Sequence, residues 1–136
     1  MSPRLDHVTD RCPCGSGDPL ADCCGRYLTG GPREGRAPSA EALMRSRYTA
    51  FAVGDADYLL ASWHPGTRPS SLTLDDDQRW LHLTVVDAQG GGPFDVEGSV
   101  EFVAAYRTPE GRGELCEFSR FVREGGRWLY VDGDLS

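Results

Sequence analysis

The apolar residues that follow Ser39 recur at the spacing of an α-helix. Up to Gly54, the positions that share this spacing are Leu43, Met44, Tyr48, Phe51 and Ala52. Ser39 can cap the N-terminus of such a helix through its hydroxyl, and Glu41 suits the positive end of the helix dipole. The pattern therefore predicts a first helix between Ser39 and Gly54.

A second, shorter helix is predicted directly afterwards. Asp55 can cap it, and Pro65 cannot continue it because proline has no backbone N–H. Its apolar residues are Tyr58, Leu59, Leu60 and Trp63. We expect the two helices to pack as an angled pair.

Residues 80–86 are rich in residues that favour β-strands, and strands are predicted from there onward. One predicted strand face carries Val96, Val100, Phe102, Ala104 and Tyr106. Residues 109–111 and 125–126 are rich in glycine and proline and predict turns into two further strands. Helices followed by an antiparallel meander predict an α+β fold, in which a curved sheet around the helices would form a cone with a pocket.

The composition limits the classes of function. The net charge is −7, and the chain has no lysine, which argues against binding along a nucleic-acid backbone. No apolar run is long enough to span a bilayer, so we expect no membrane segment. Residues 1–11 contain no apolar core of a signal peptide, and we therefore expect a cytoplasmic protein.

Four of the five cysteines lie close together in the sequence. Cys12, Cys14, Cys23 and Cys24 follow the spacing C-x-C-x8-C-C, which indicates a tetrahedral zinc site. Four thiolates leave no open coordination position, so the zinc would be structural. Disulfides or a free redox cluster are the alternative, although bridges within such short spacings would be strained.

The chain divides into three segments on this interpretation. Residues 1–28 would form the zinc knuckle, and residues 39–136 the α+β domain. Residues 29–38 are rich in glycine and proline without periodicity, as is typical of a linker.

Several motifs resemble those of the bacterial YchJ family over nearly the whole chain. They are residues 43–51, 57–59, 63–65, 119–121 and 126–133. The resemblance implies a cone of the nuclear transport factor 2-like fold that follows a zinc knuckle of the SEC-C type. It implies no particular reaction, since this fold serves enzymes and binding modules alike. Many SEC-C knuckles have lysines where this chain has Asp18 and Asp22, which argues against an RNA-binding role.

Four residues are candidates for chemistry in the predicted cone. His64 can exchange protons near neutral pH, which suits a general acid or base. Glu117, Ser119 and Arg120 lie on one predicted strand and would position a polar substrate. The alternatives are structural: His64 would end a helix, and Glu117 would pair with an arginine of the first helix, Arg45 or Arg47.

Two functions follow from these observations. The interpretation we favour is a binding or adaptor module whose zinc knuckle contacts a protein partner. The alternative is a small-molecule enzyme or ligand binder that uses the cone, with His64 as acid or base. The sequence does not predict the oligomeric state.

Overall fold

The computed structural model describes residues 11–136, so the first ten residues of the predicted knuckle segment lie outside the described part. Two short 3-10 helices, Leu20–Asp22 and Cys24–Arg26, come first. The α-helices are α1 (Ala40–Val53) and α2 (Ala56–Ala61). The strands are β1 (Arg79–Gly90), β2 (Glu97–Thr108), β3 (Gly111–Glu124) and β4 (Arg127–Leu135), which form one antiparallel sheet in chain order. The predicted α+β class is confirmed.

Helix α1 has the predicted caps at both ends. The Ser39 hydroxyl accepts a hydrogen bond from the backbone N–H of Ala42 at 3.1 Å. Gly54 ends the helix with φ at 85°, a left-handed conformation that a side chain would strain. The helix contacts β1, β2 and β4 and buries Leu43 and Ala50 in the core.

Helix α2 is shorter than the sequence predicts. Asp55 caps it as expected, but it ends at Ala61, so the prediction that Trp63 belongs to the helix is wrong. The backbone after the helix pairs with β4 instead. The N–H of Tyr130 donates to Ser62 O at 2.9 Å, and the N–H of His64 donates to Tyr130 O at 2.7 Å. Backbone groups that bond to β4 in this way cannot also form a further turn of the helix. Pro65 disfavours such a turn as well.

The strand pairing of the sheet is irregular at three places. The register of β1 against β2 shifts twice, and that of β3 against β4 shifts once next to Phe121. Such bulges bend a strand and increase its twist. Val100, Phe102 and Ala104 share the inner face as predicted, whereas Val96 lies before β2 and is exposed. The two predicted turns join β2 to β3 and β3 to β4.

No helix in the described part of the chain is long and apolar enough to cross a membrane.

The buried carboxylate of Asp55 provides a test of how the fold is held together. It accepts hydrogen bonds from the Tyr58 N–H at 3.1 Å, the Thr29 N–H at 3.0 Å and the Thr29 hydroxyl at 2.9 Å. We predict that Asp55→Ala lowers the free energy of unfolding by about 2–4 kcal/mol, because it removes a helix cap and leaves buried donors unpaired. Denaturant titration measures this loss.

Asp57→Ala is the matched control because Asp57 is exposed in the first turn of the same helix. Its effect should stay below about 1 kcal/mol, the scale of a helix-dipole interaction. Equal losses in the two variants would contradict the role assigned to Asp55.

Candidate functional site

The four clustered cysteines meet in space. Their Sγ atoms all lie within 4.8 Å of one another, and none forms a disulfide. The Sγ atoms of Cys14 and Cys23 are 3.7 Å apart. A tetrahedral metal with bonds of about 2.3 Å to sulfur separates its ligands by roughly 3.8 Å. The donor set therefore fits a metal ion that is bound by four thiolates.

The local backbone explains how two adjacent cysteines reach one point. Cys23 lies between the two 3-10 helices with φ at −124° and ψ at −118°, which is not helical. This break changes the direction of its side chain relative to that of Cys24. Gly25 allows the turn to close, because a Cβ atom there would lie 2.6 Å from the carbonyl oxygen of Leu20.

Polar groups surround the sulfur atoms. The Ser16 hydroxyl donates to Cys23 Sγ at 3.1 Å, and the Thr49 hydroxyl lies 3.5 Å from Cys12 Sγ. Hydrogen bonds from the thiols of Cys12 and Cys24 hold the pKa of Cys14 well below its ordinary value. Metal ligation requires thiolates, so a bound cation would favour deprotonation of all four thiols.

The cysteine loop is attached to the first helix of the α+β domain. Arg45 of α1 donates from Nη1 to the carbonyl oxygen of Cys14 at 3.0 Å. Thr49 of the same helix contacts Cys12, and Val53 and Leu83 pack against the cluster. The loop is thus held by both polar and apolar contacts.

A cavity of about 360 Å³ lies between the helices and the sheet, on the side of α1 away from the cysteines. The helix contributes Met44, Arg47, Tyr48 and Phe51, which are spaced by three or four residues and therefore share a face. Aromatic side chains make up half of the lining residues: Tyr48, Phe51, Trp63, Trp80, Phe102, Phe121 and Tyr130. The charged groups of the lining are Arg47 and Glu117.

Glu117 and Ser119 lie together on the inner face of the sheet. Glu117 Oε2 accepts hydrogen bonds from the Ser119 hydroxyl at 2.5 Å and from the Tyr130 hydroxyl at 3.0 Å. Burial, together with the negative charge of Glu117, raises the pKa of Tyr130, so its hydroxyl stays protonated and donates. Gly133 makes room for this arrangement, because a Cβ atom there would overlap the carboxylate of Glu117.

Arg47 is the buried cation of the cavity and is not one of the four candidates that the sequence predicts. Its side chain runs across the rings of Trp63 and Tyr130, with the guanidinium carbon 5.1 and 4.5 Å from their centroids. Nη1 donates to Leu59 O and to Ser62 Oγ, both at 2.7 Å. Burial lowers the pKa of Arg47 to about 10, so it remains charged at neutral pH. The sequence signal for this buried charge is the position of an arginine within the apolar stripe of α1.

The expected ion pair between Glu117 and α1 is not formed within the described residues. Arg45 pairs with Glu41 at 3.0 Å, and Arg47 uses the contacts above. Glu117 Oε2 instead accepts from the Ser119 and Tyr130 hydroxyls.

His64 and Arg120 lie away from the cavity lining. The Nδ1 atom of His64 accepts from the Gly66 N–H at 2.9 Å, so its Nε2 carries the ring proton and donates to Glu124 Oε2 at 2.9 Å. Arg120 lies on the opposite face of β3 and pairs with Asp132 at 2.6 Å and Asp134 at 3.0 Å. The structure therefore brings together Glu117 and Ser119 but neither of the other two candidates.

Comparisons with known proteins match both parts of this architecture. Residues 39–133 match the family described as YchJ, middle NTF2-like domain, and residues 9–26 match the SEC-C motif. The chain belongs to the YchJ-like family. Its relatives include a UPF0225 protein of Chromobacterium violaceum, which is 54% identical over 125 residues that span 90% of each chain. A UPF0225 protein of Streptomyces coelicolor is 49% identical over 93% of this chain and 96% of the relative.

Two solved structures of SEC-C motif containing proteins are similar to this chain over most of its length. The solution structure from Rhodopseudomonas palustris has a TM-score of 0.77 and 33% identity, and the match covers 93% of this chain and 98% of that one. The crystal structure from Psychrobacter arcticus has a TM-score of 0.74 and 28% identity, with coverage of 96% and 85%. The resemblance seen in the sequence motifs is thereby confirmed.

The cysteine geometry predicts that the protein binds one metal ion. Protein purified without chelator should contain about one equivalent, because four thiolates complete a single tetrahedral shell. Cys24→Ser should lose most of this metal. Cys116→Ser is the matched control, since Cys116 lies on β3 outside the cluster. Elemental analysis measures the content, and equal retention by the two variants would contradict the site.

Proposed function

We propose that the protein is a binding or adaptor module in which Cys12, Cys14, Cys23 and Cys24 hold a structural zinc ion. Thiolate ligands suit zinc, and four of them leave no position for a substrate or a reactive water. The metal would stabilise the fold of the loop rather than take part in a reaction. Reduced thiols of this kind suit the cytoplasm.

The observation that carries this proposal is the attachment of the cysteine loop to α1. Arg45 bonds to Cys14, Thr49 contacts Cys12, and Val53 packs against the sulfur cluster. A loop fixed in this way presents one constant surface to a partner, so little conformational entropy is lost on binding.

The outward surface of the loop indicates the chemistry of the partner. Ser16, Asp18 and Asp22 are exposed, whereas three of the four neighbouring cysteines are buried. Two carboxylates beside a thiolate site favour a partner with basic residues and disfavour a phosphate backbone. We therefore propose a protein partner, whose approach Asp18 and Asp22 would direct.

A second candidate function is the binding of a small molecule in the cavity. The cavity favours it because an apolar wall and a few polar groups are typical of ligand sites. Binding is better supported than catalysis with His64 as acid or base, because His64 does not line the cavity and pairs with Glu124.

Charge reversal on the loop tests the adaptor proposal. Asp18→Arg combined with Asp22→Arg should abolish recovery of the proteins that wild type captures from the native host lysate, because the basic partner would be repelled. The control reverses Asp76 and Asp77, two exposed aspartates of the loop before β1, and should leave recovery unchanged. Quantitative mass spectrometry measures the captured proteins. Equal recovery by the two double variants, or no capture by wild type, would contradict the proposal.

A further inference from the structure

The cavity contains a buried positive charge without an ionic partner. The Arg47 residue is only 6% exposed, yet it forms no salt bridge with any described residue. Buried charges are normally paired, because removal from water is costly. The rings of Trp63 and Tyr130 and the oxygens of Leu59 and Ser62 compensate part of this cost.

The hydrogen bonds of Arg47 leave donors for an occupant. Both of its protein bonds use Nη1, whereas Nε and Nη2 have no partner among residues 11–136. Since the side chain lines the cavity, these N–H groups are available to a molecule inside it. The indole N–H of Trp63, another lining residue, is also buried without a partner in the described chain.

The carboxylate of Glu117 does not fill this role. Its Oε2 atom already accepts two hydroxyl donors, and among the described residues the carboxylate forms no ion pair with Arg47. Ser119 and Tyr130 thus hold the Glu117 carboxylate on the sheet by hydrogen bonds. Its negative charge acts on Arg47 across the cavity without direct contact, so the free N–H groups of Arg47 remain without an acceptor in the described part of the chain. An anionic group of a ligand would accept hydrogen bonds from the free N–H groups of Arg47. A carboxylate suits this role because its two oxygens match the spacing of two guanidinium N–H donors.

The other lining residues indicate the chemistry of the remainder of the ligand, apart from its anionic group. Tyr48, Phe51, Trp80 and Phe121 surround the space with aromatic rings, and rings pack well against flat apolar groups. We infer that the cavity binds a small organic carboxylate with a flat apolar or aromatic body, and that Arg47 binds its carboxylate. This inference rests on the second candidate function, ligand binding in the cavity.

Three acids with their neutral amides test the inference. The probes are phenylacetate, trans-cinnamate and indole-3-acetate, each compared with phenylacetamide, trans-cinnamamide or indole-3-acetamide. Binding is followed by the NMR signals of the tryptophan indole N–H groups in the full-length metal-loaded protein. At least one acid should bind about tenfold or more tightly than its amide, the ratio expected from one charge-assisted hydrogen bond.

Matched variants assign the preference to Arg47. Arg47→Gln should abolish the preference for the acid, whereas Arg120→Gln on the outer face of the sheet should retain it. Glu117→Gln should tighten binding of the acid and leave the amide unchanged, because it removes a negative charge from the cavity and keeps an oxygen for the two hydroxyls. This variant decides the question if Arg47→Gln does not fold.

The outcomes separate the inference from the function on which it rests. If acids and amides bind equally well, or if Glu117→Gln does not favour the acid, the cavity binds ligands but Arg47 serves only to join α1 to α2. If none of the six probes binds at millimolar concentration, ligand binding of this class is excluded, and the inference fails with it.

Discussion

The contact between the cysteine loop and helix α1 is the interaction on which the rest of the structure depends. One side of this helix meets the sulfur cluster through Arg45 and Thr49, and the other side lines the cavity with Arg47 and Tyr48. A segment with so few apolar residues cannot form a core of its own. Metal binding to the loop would therefore stabilise α1 as well, and through α1 the wall of the cavity.

The parts of the fold that local chemistry determines could be predicted from the sequence. Ser39 and Gly54 mark the ends of α1 because a hydroxyl and a residue free to adopt positive φ are what helix ends require. The cysteine spacing likewise predicted a common site, since ligands a few residues apart in a loop can reach one metal. The cone shape was predicted only from the resemblance to the family, because the periodicity of the strands is compatible with a cone but does not require one.

The cavity could be predicted only in part: Glu117 and Ser119 share a strand face and do line it, but its other polar groups depend on contacts between distant segments. His64 follows a helix in the sequence, but its backbone bonds to Tyr130 and its ring pairs with Glu124, far along the chain. The environment of Arg47 arises only when α1, α2 and β4 meet. The side chain of a lone arginine in an apolar stripe could equally have extended to the surface.

Hydrogen exchange, followed by mass spectrometry with and without a zinc chelator, tests the central claim most directly. The account predicts that metal removal increases exchange in residues 11–28 and also in α1, including the segment around Arg47 that lines the cavity, while β2 and β3 stay protected. Increased exchange that is confined to residues 11–28, with α1 unchanged, would contradict the claim that the cysteine loop supports the cavity through this helix.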